Sequence, residues 1–283
     1  MLDIAIVGAG PAGLSAGINA KIRNKNIKVF GNPFNTSYAY KAERIDNYLG
    51  MYGISGQDLI KSFVEHANKM ELEIHQGRVL EIYDMSGTYT LNVDNEFFET
   101  KTVILANGVT MDKSLEGEAK FLGKGVSYCA TCDGPLYRGK TVALIGDSPI
   151  AEEDVNYLSE VCEKVYYIPT YKDINKVNDQ VEILKDKPTA IVGDEIVESL
   201  KLKDKDLDVS GVFIIKESVP TTRLLQGLEI ENNTIKVNRF METNLKGVYA
   251  AGDCTGKPFQ VSKSVGEGTT AGLQAVKYLD SNK

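Results

Sequence analysis

Asp3-Ile4-Ala5-Ile6-Val7-Gly8-Ala9-Gly10-Pro11-Ala12-Gly13 carries a short apolar strand straight into a glycine-rich turn. Downstream, Pro11 to Ile22 keep Leu14, Ile18 and Ile22 at helical spacing, and Ile27-Lys28-Val29-Phe30 reads as a second strand. This is a βαβ unit. In such a unit Gly8 permits the tight turn, Gly10 lets the backbone approach a pyrophosphate, Gly13 lets helix and strand close up, and the helix N-terminus faces the phosphates. The glycines alone would fit a packing turn; the flanking strand and helix make them a dinucleotide loop that also includes Pro11 and Ala12. The acidic residue expected at the end of the second strand to hold a ribose is replaced by Phe30-Gly31-Asn32, which leaves the Asn32 amide as a substitute.

The pattern recurs at Thr141-Val142-Ala143-Leu144-Ile145, a helix from about Pro149 to Cys162, and Val165-Tyr166-Tyr167-Ile168. Two βαβ starts in 283 residues predict two related lobes. Between them, Leu59 to Met70 reads as a helix, Glu73-Ile74-His75 and Val79-Leu80-Glu81-Ile82 as strands, Thr88 to Val93 with Phe97-Phe98 as a hairpin, and Thr102 to Ala106 as a buried strand. Gly247 to Ala251 reads as a strand and Ser264 to Leu279 as a terminal helix.

The second glycine loop is damaged. In Gly146-Asp147-Ser148-Pro149-Ile150-Ala151, Ser148 stands where backbone should meet pyrophosphate, and Pro149 removes an N–H. Asp147 opposes a dianionic ligand by ~1–4 kcal/mol at ~4 Å. Ser148 is instead expected to cap the helix, with Pro149 at its first position and Glu152, Glu153 and Asp154 complementing its dipole.

Hydrophobic content of 42% with 25% charged residues suits a globular protein, and no segment approaches the ~20 apolar residues of a membrane span. Met1-Leu2-Asp3 enters a strand without a leader, which predicts a cytoplasmic protein. A net charge of −7 argues against nucleic-acid or anionic-membrane binding. Two of the four cysteines, Cys129 and Cys132, form a Cys-x-x-Cys pair, which reads as redox or metal chemistry rather than a disulfide framework. Zinc is disfavoured, and no metal site is expected, because His66 and His75 lack ligand spacing to the pair. Cys162 and Cys254 read as packing thiols.

Gly125-Val126-Ser127-Tyr128-Cys129-Ala130-Thr131-Cys132-Asp133-Gly134, followed by Leu136-Tyr137-Arg138-Gly139-Lys140, resembles the active-site segment of low-molecular-weight flavin thioredoxin reductases. The resemblance runs through Asn47-Tyr48-Leu49-Gly50, Ala106-Asn107-Gly108, Leu115-Glu116-Gly117-Glu118, Ala250-Ala251-Gly252-Asp253 and Gln260-Val261. It implies an α/β fold of two Rossmann-like, three-layer domains, FAD as cofactor, and a homodimer. It further implies that Cys132 lies against the flavin, Cys129 attacks the disulfide of thioredoxin, and Asp133 supplies a proton. Asn47, Val79, Ala106, Gly108, Gly252, Asp253, Gln260 and Val261 would join the first glycine loop in holding FAD.

One departure from that family is concentrated. NADPH-dependent members carry a His-Arg-Arg cluster and a further Arg that grip the 2′-phosphate; here Pro169-Thr170-Tyr171-Lys172-Asp173-Ile174-Asn175 contains no guanidinium. Loop and clamp are lost together, as in the ferredoxin-dependent, pyridine-nucleotide-independent branch, which makes ferredoxin the expected donor. Two other readings stay open: an NAD(P)H-dependent reductase with a variant nucleotide site, and a flavin-binding redox sensor without turnover. The expected organisation is an FAD domain of residues 1–111 and 242–283, interrupted by a cysteine-bearing domain of residues 112–241.

Overall fold

The computed structural model describes residues 1–31, 37, 39–108, 115–216, 224–232 and 234–282. It separates into two compact units, Met1–Thr110 with Ser218–Lys283, and Met111–Glu217.

The first unit is built on β1 (Leu2–Val7), α1 (Pro11–Lys21) and β2 (Ile27–Gly31). Then come α2 (Gly56–Lys69), β3 (Ile74–Gln76), β4 (Val79–Asp84), β5 (Tyr89–Val93) and β6 (Glu96–Leu105). The strand Val248–Ala250 and a terminal helix, Val261–Ser281, complete it. The sheet runs β3-β2-β1-β6-β5-β4, with Val248–Ala250 also paired to β6. β1 lies parallel between β2 and β6; from β1 the chain runs through α1 to β2, while β6 pairs on its other side with Val248–Ala250, so the carboxyl ends of β1 and β6 bound the kind of crevice where open α/β sheets bind ligands. Ile4 and Ile6 send one face of β1 into a core shared with α1 and the terminal helix. That contact is close because small residues line it: a Cβ added to Gly268 would lie 2.1 Å from the Ala12 carbonyl oxygen, and one at Gly272 2.6 Å from that of Ala16.

β6 is one continuous strand where sequence suggests two. Glu99, Thr100 and Lys101 interrupt the apolar run ahead of the strand read from Thr102, yet Thr100 and Thr102 are fully buried. Their hydroxyls are satisfied, Thr100 donating to the Thr102 carbonyl at 2.9 Å and Thr102 to the Asp3 carbonyl at 2.9 Å. The first half of β6 pairs antiparallel with β5 and the second parallel with β1.

Residues 218–241, assigned by sequence to the inserted domain, fall in the first unit. Leu225 bridges Ile82 of β4, the Asn244 side chain donates to the Gly227 carbonyl at 2.8 Å, and Met241 packs on the core of α1. These contacts tie the stretch to β4 and to the chain leading into Val248–Ala250. The composition around 218–241 gives no sign of them.

The second unit contains α3 (Glu118–Phe121), β7 (Val126–Ser127), α4 (Ala130–Asp133), β8 (Thr141–Gly146), α5 (Ala151–Val161) and β9 (Lys164–Pro169). β10 (Glu182–Ile183), β11 (Pro188–Val192), β12 (Ser199–Leu202), β13 (Asp206–Asp208) and β14 (Gly211–Ile215) follow. Its parallel sheet runs β10-β9-β8-β14-β7, and β11-β12-β13 form a separate antiparallel sheet. Along β8, Val142 and Leu144 pack with α5 residues Val155 and Leu158, while Ala143 and Ile145 pack with Ile191, Leu200 and Leu207 of the antiparallel sheet. The period-2 alternation of a strand thus sets three layers, helix, parallel sheet and antiparallel sheet. The α/β, Rossmann-like expectation holds for both units.

Candidate functional site

In the second unit, β7 pairs with β14 and delivers the chain to Tyr128 and Cys129 at the sheet's edge. The Cys129 N–H donates to the Ser127 hydroxyl at 3.1 Å, and that hydroxyl donates back to the Cys129 carbonyl at 3.1 Å. Cys129 then caps α4: its sulfur accepts the Cys132 N–H at 3.2 Å. The two sulfurs are joined in a disulfide with Cα atoms 5.3 Å apart. In the reduced pair the same N–H is placed to donate to a Cys129 thiolate, a charge-assisted hydrogen bond. Cys132 is exposed and Cys129 half-buried. Asp133 follows in α4, its N–H donating to the Cys129 carbonyl at 3.2 Å.

The pair is held from below. Ala130 is fully buried against α5, and Gly134 lies where a Cβ would come within 3.0 Å of Tyr157 and Leu158. On the other side the Tyr128 hydroxyl donates to the buried Glu118 carboxylate, whose second oxygen accepts the Leu115 N–H at 2.8 Å. The Leu115–Glu118 run enters the sequence reading only as part of the family resemblance, which gives no sign of this brace.

In the first unit the loop after β1 is shaped for an anion. A Cβ on Gly8 would lie 2.2 Å from the Ala106 carbonyl oxygen, and one on Gly13 1.8 Å from the Gly8 carbonyl oxygen, so both positions are closed to side chains. Space beside Gly10 and Gly108 is open, with nothing within 4 Å of an added Cβ. Gly10 caps α1 without a side-chain hydrogen bond, Pro11 and Ala12 follow, and the first turn holds no acidic residue. The N-terminal N–H groups and the positive end of the helix dipole therefore face that space unneutralised.

Gly252-Asp253 completes the rim. Ser264 donates to the Asp253 carboxylate at 3.2 Å; burial pushes this carboxyl above its ordinary range, against the pull of Ser264 and Lys263. The Lys263 ammonium donates to the carbonyls of Gly252 at 2.8 Å and Gly256 at 2.6 Å and to the Thr255 hydroxyl at 2.9 Å. Glu267, one helical turn on, accepts the Gly252 N–H at 2.9 Å and the Thr255 hydroxyl at 2.8 Å. Lys263 and Glu267 thus fasten the Gly252–Gly256 turn to the terminal helix. Sequence reasoning missed both because it began that helix at Ser264, which hid their i,i+4 spacing. The Asn47 amide donates to the Gln260 side chain at 2.5 Å, and Val261 begins the helix. Val79 is buried at the start of β4, paired with Val93. Asn32 lies outside the described residues. Cys254 donates to the carbonyls of Leu105 and Ala251, and burial pushes its thiol to about 12, in keeping with an inert packing role.

The second loop differs from the sequence expectation. α5 begins at Ala151, after Pro149, and Ile150 caps it with no side-chain hydrogen bond. The expected Ser148 cap does not form, because main-chain carbonyls of Ser148 and Pro149 take the N–H groups of Ala151 and Glu152. The Ser148 hydroxyl is left buried without a hydrogen-bond partner. At the start of α5, Glu152 is only 4% exposed, and its carboxylate accepts the Tyr171 hydroxyl at 2.6 Å and the N–H groups of Asn175 and Lys176 at 3.1 and 2.7 Å. Burial works against this charge, but the three donors hold the carboxyl below its ordinary range.

A family model described as pyridine nucleotide-disulphide oxidoreductase matches residues 2–268. The chain belongs to this family. Within it, a ferredoxin-flavin thioredoxin reductase from Clostridium acetobutylicum is 50% identical and superposes with a TM-score of 0.94, covering 99% of this chain and 98% of that one. A second such structure from the same organism is 46% identical, with a TM-score of 0.88 over 99% and 98% of the two chains. The thioredoxin reductase of Aquifex aeolicus is 33% identical over 99% of this chain and 94% of its own length. This family member is accordingly a flavin-dependent disulfide oxidoreductase of the thioredoxin reductase type. Among the described residues, no helix is long and apolar enough to cross a membrane.

Proposed function

We propose that the protein passes electrons from reduced ferredoxin through FAD to the Cys129–Cys132 disulfide and on to thioredoxin. The observation that carries this reading is an intact redox disulfide in a unit whose damaged glycine loop leads into a buried Glu152 carboxylate and is not followed by an arginine clamp. The uncapped N-terminus of α1, the open space at Gly10 and Gly108 and the Asp253 turn fit FAD. FAD bound there supplies the step between single-electron delivery and two-electron disulfide reduction.

The chain's own residues do the rest. With FAD bound, Gly8, Gly10, Pro11, Ala12 and Gly13 would present backbone to the pyrophosphate, Ala106, Gly108, Gly252 and Asp253 would line the linker, and Asn47, Val79, Gln260 and Val261 would complete the contacts. Cys132 receives the electron pair, which breaks the Cys129–Cys132 bond. The Cys129 thiolate then attacks thioredoxin's disulfide to give a mixed disulfide. Cys132 attacks Cys129 in turn, releasing reduced thioredoxin and restoring the original disulfide. Two electrons enter and two leave per cycle, and Asp133 relays the proton to the leaving thiolate. The working form is a cytoplasmic homodimer.

Charge is unevenly divided in a way that suits this donor. Residues 111–217 hold 14 Lys and Arg against 21 Asp and Glu, so the whole net charge of −7 falls there. The remaining residues are balanced, which directs an acidic ferredoxin towards the first unit. Lys21, Arg23, Lys25 and Lys28 form a basic run in this unit, partly neutralised by Asp280 on Lys25 and Glu73 on Lys28, both at 2.6 Å.

Under anaerobic steady state, photoreduced ferredoxin is expected to support thioredoxin reduction at two ferredoxins oxidised per disulfide. Thiol formation with NADPH and none with ferredoxin would refute the reading. Separately, Lys263→Ala should weaken FAD binding by roughly 10–100-fold, the worth of a charge-assisted hydrogen-bond set, when apoprotein is titrated with FAD by fluorescence quenching. Unchanged affinity would mean that the Gly252–Gly256 turn holds its shape without Lys263.

A further inference from the structure

The polar face of α5 does more than complement a helix dipole. Glu152, Asn156 and Ser159 stand at i, i+4 and i+7, and all three bind the segment after β9. The Asn156 side chain donates to the Lys176 carbonyl at 2.6 Å and accepts the Asn178 N–H at 2.8 Å. The Ser159 carbonyl and hydroxyl accept the Gln180 amide at 3.1 and 2.9 Å. At the top of this seam Glu152 takes Tyr171, Asn175 and Lys176, and Tyr171 continues to the Tyr167 hydroxyl at 2.9 Å. Tyr167 in turn lies over Gly146, where an added Cβ would meet its hydroxyl oxygen at 2.9 Å.

This seam occupies the carboxyl end of β8, where β9 and β14 flank it on opposite sides and where an open α/β sheet ordinarily receives a ligand. Two converging backbone N–H groups and a phenol are the donor set an anion would seek. We propose that the Glu152 carboxylate is this unit's built-in anion: it fills an anion site made by Tyr171, Asn175 and Lys176, latches residues 171–180 across α5, and so determines that no phosphate-bearing dinucleotide is accepted there. The inference rests on the donor reading above and deepens it by naming the residue that closes the site. Loss of an arginine clamp removes affinity; Glu152 fills the place itself.

The test is anion rescue in the FAD-loaded protein. Glu152→Ala leaves three donors facing a hole, so its melting temperature, followed by circular dichroism, should fall on the order of 5 °C. Sodium formate should restore at least half of that loss saturably in Glu152→Ala and leave the wild type unmoved, while sodium chloride at equal ionic strength restores none. A Glu152→Ala protein that melts with the wild type, or equal shifts by formate and chloride in both proteins, would overturn the proposal. If Glu152→Ala does not fold, Glu152→Gln is titrated by tyrosine absorbance at 295 nm. Tyr171, whose phenol is pushed up by burial and then by its bond to Glu152, should ionise at lower pH than in wild type, and an unchanged titration overturns the proposal. Failed rescue with wild-type flavin still unreactive to NADPH would sink the built-in anion alone. Successful rescue with wild-type flavin bleached by NADPH would sink the donor reading alone.

Discussion

Cys129→Ser is expected to lower thioredoxin-disulfide turnover by on the order of 10³-fold or more while leaving donor-driven flavin bleaching intact. A serine hydroxyl stays protonated near neutral pH and forms no disulfide, so the exchange step is lost rather than slowed. The structure adds a distinction between the two sulfurs. Cys129 caps α4 and its sulfur accepts the Cys132 N–H at 3.2 Å, a contact that stabilises a Cys129 thiolate as nucleophile. Cys132→Ser should therefore also abolish turnover, yet accumulate a mixed disulfide between Cys129 and a thioredoxin that lacks its second cysteine and whose first is held in a disulfide with thionitrobenzoate, which leaves as the free thiolate when Cys129 attacks. Mass spectrometry of the two variants after mixing with that thioredoxin checks this. An adduct with Cys129→Ser and none with Cys132→Ser would reverse the assigned roles.

Gly13→Val should yield protein without FAD, or no folded protein. The first atom of any side chain at position 13 would lie 1.8 Å from the Gly8 carbonyl oxygen, inside van der Waals contact and against backbone that cannot rotate away. Relief requires separating α1 from β1, which breaks the glycine loop and the close seam between α1 and the terminal helix. The cost is expected to exceed ~3 kcal/mol. Gly10→Ala is the matched control, because space beside Gly10 is open and α1 itself can accept alanine. It should fold with a melting temperature near that of wild type and lose flavin affinity only. Flavin content after purification and thermal melts separate the two, and a Gly13→Val protein with full flavin and an unshifted melt would contradict the loop geometry.

The parts of the fold legible in sequence are those where one local rule speaks alone. Ile4, Ile6 and the glycines after them announce a strand, a turn and a helix at once, and the disulfide between Cys129 and Cys132 joins the pair marked by its spacing. The misread parts are those where two rules compete. Ser148 before an acidic helix start looks like a cap, but the preceding turn satisfies the helix with its own carbonyls, and the hydroxyl is left unused. Glu152 looks like one of three residues complementing a dipole, although it is buried and binds chain about twenty residues away, a partner that no local pattern reveals. Thr100 looks like an interruption because its hydroxyl is satisfied by a main-chain carbonyl, that of Thr102 two residues along the same strand. The i,i+4,i+7 spacing of Glu152, Asn156 and Ser159 was available in sequence as a polar stripe, but stripes of that kind more often face water.

The central claim is that this family member has exchanged a nucleotide donor for a protein donor. Its most direct test is anaerobic rapid mixing of the oxidised FAD-loaded protein with reduced ferredoxin, NADPH and NADH in parallel, following flavin absorbance near 450 nm. Bleaching by ferredoxin, with thiols appearing at Cys129 and Cys132, and no bleaching by either nucleotide is the predicted result. Fast bleaching by NADPH or NADH, with none by ferredoxin, would contradict it.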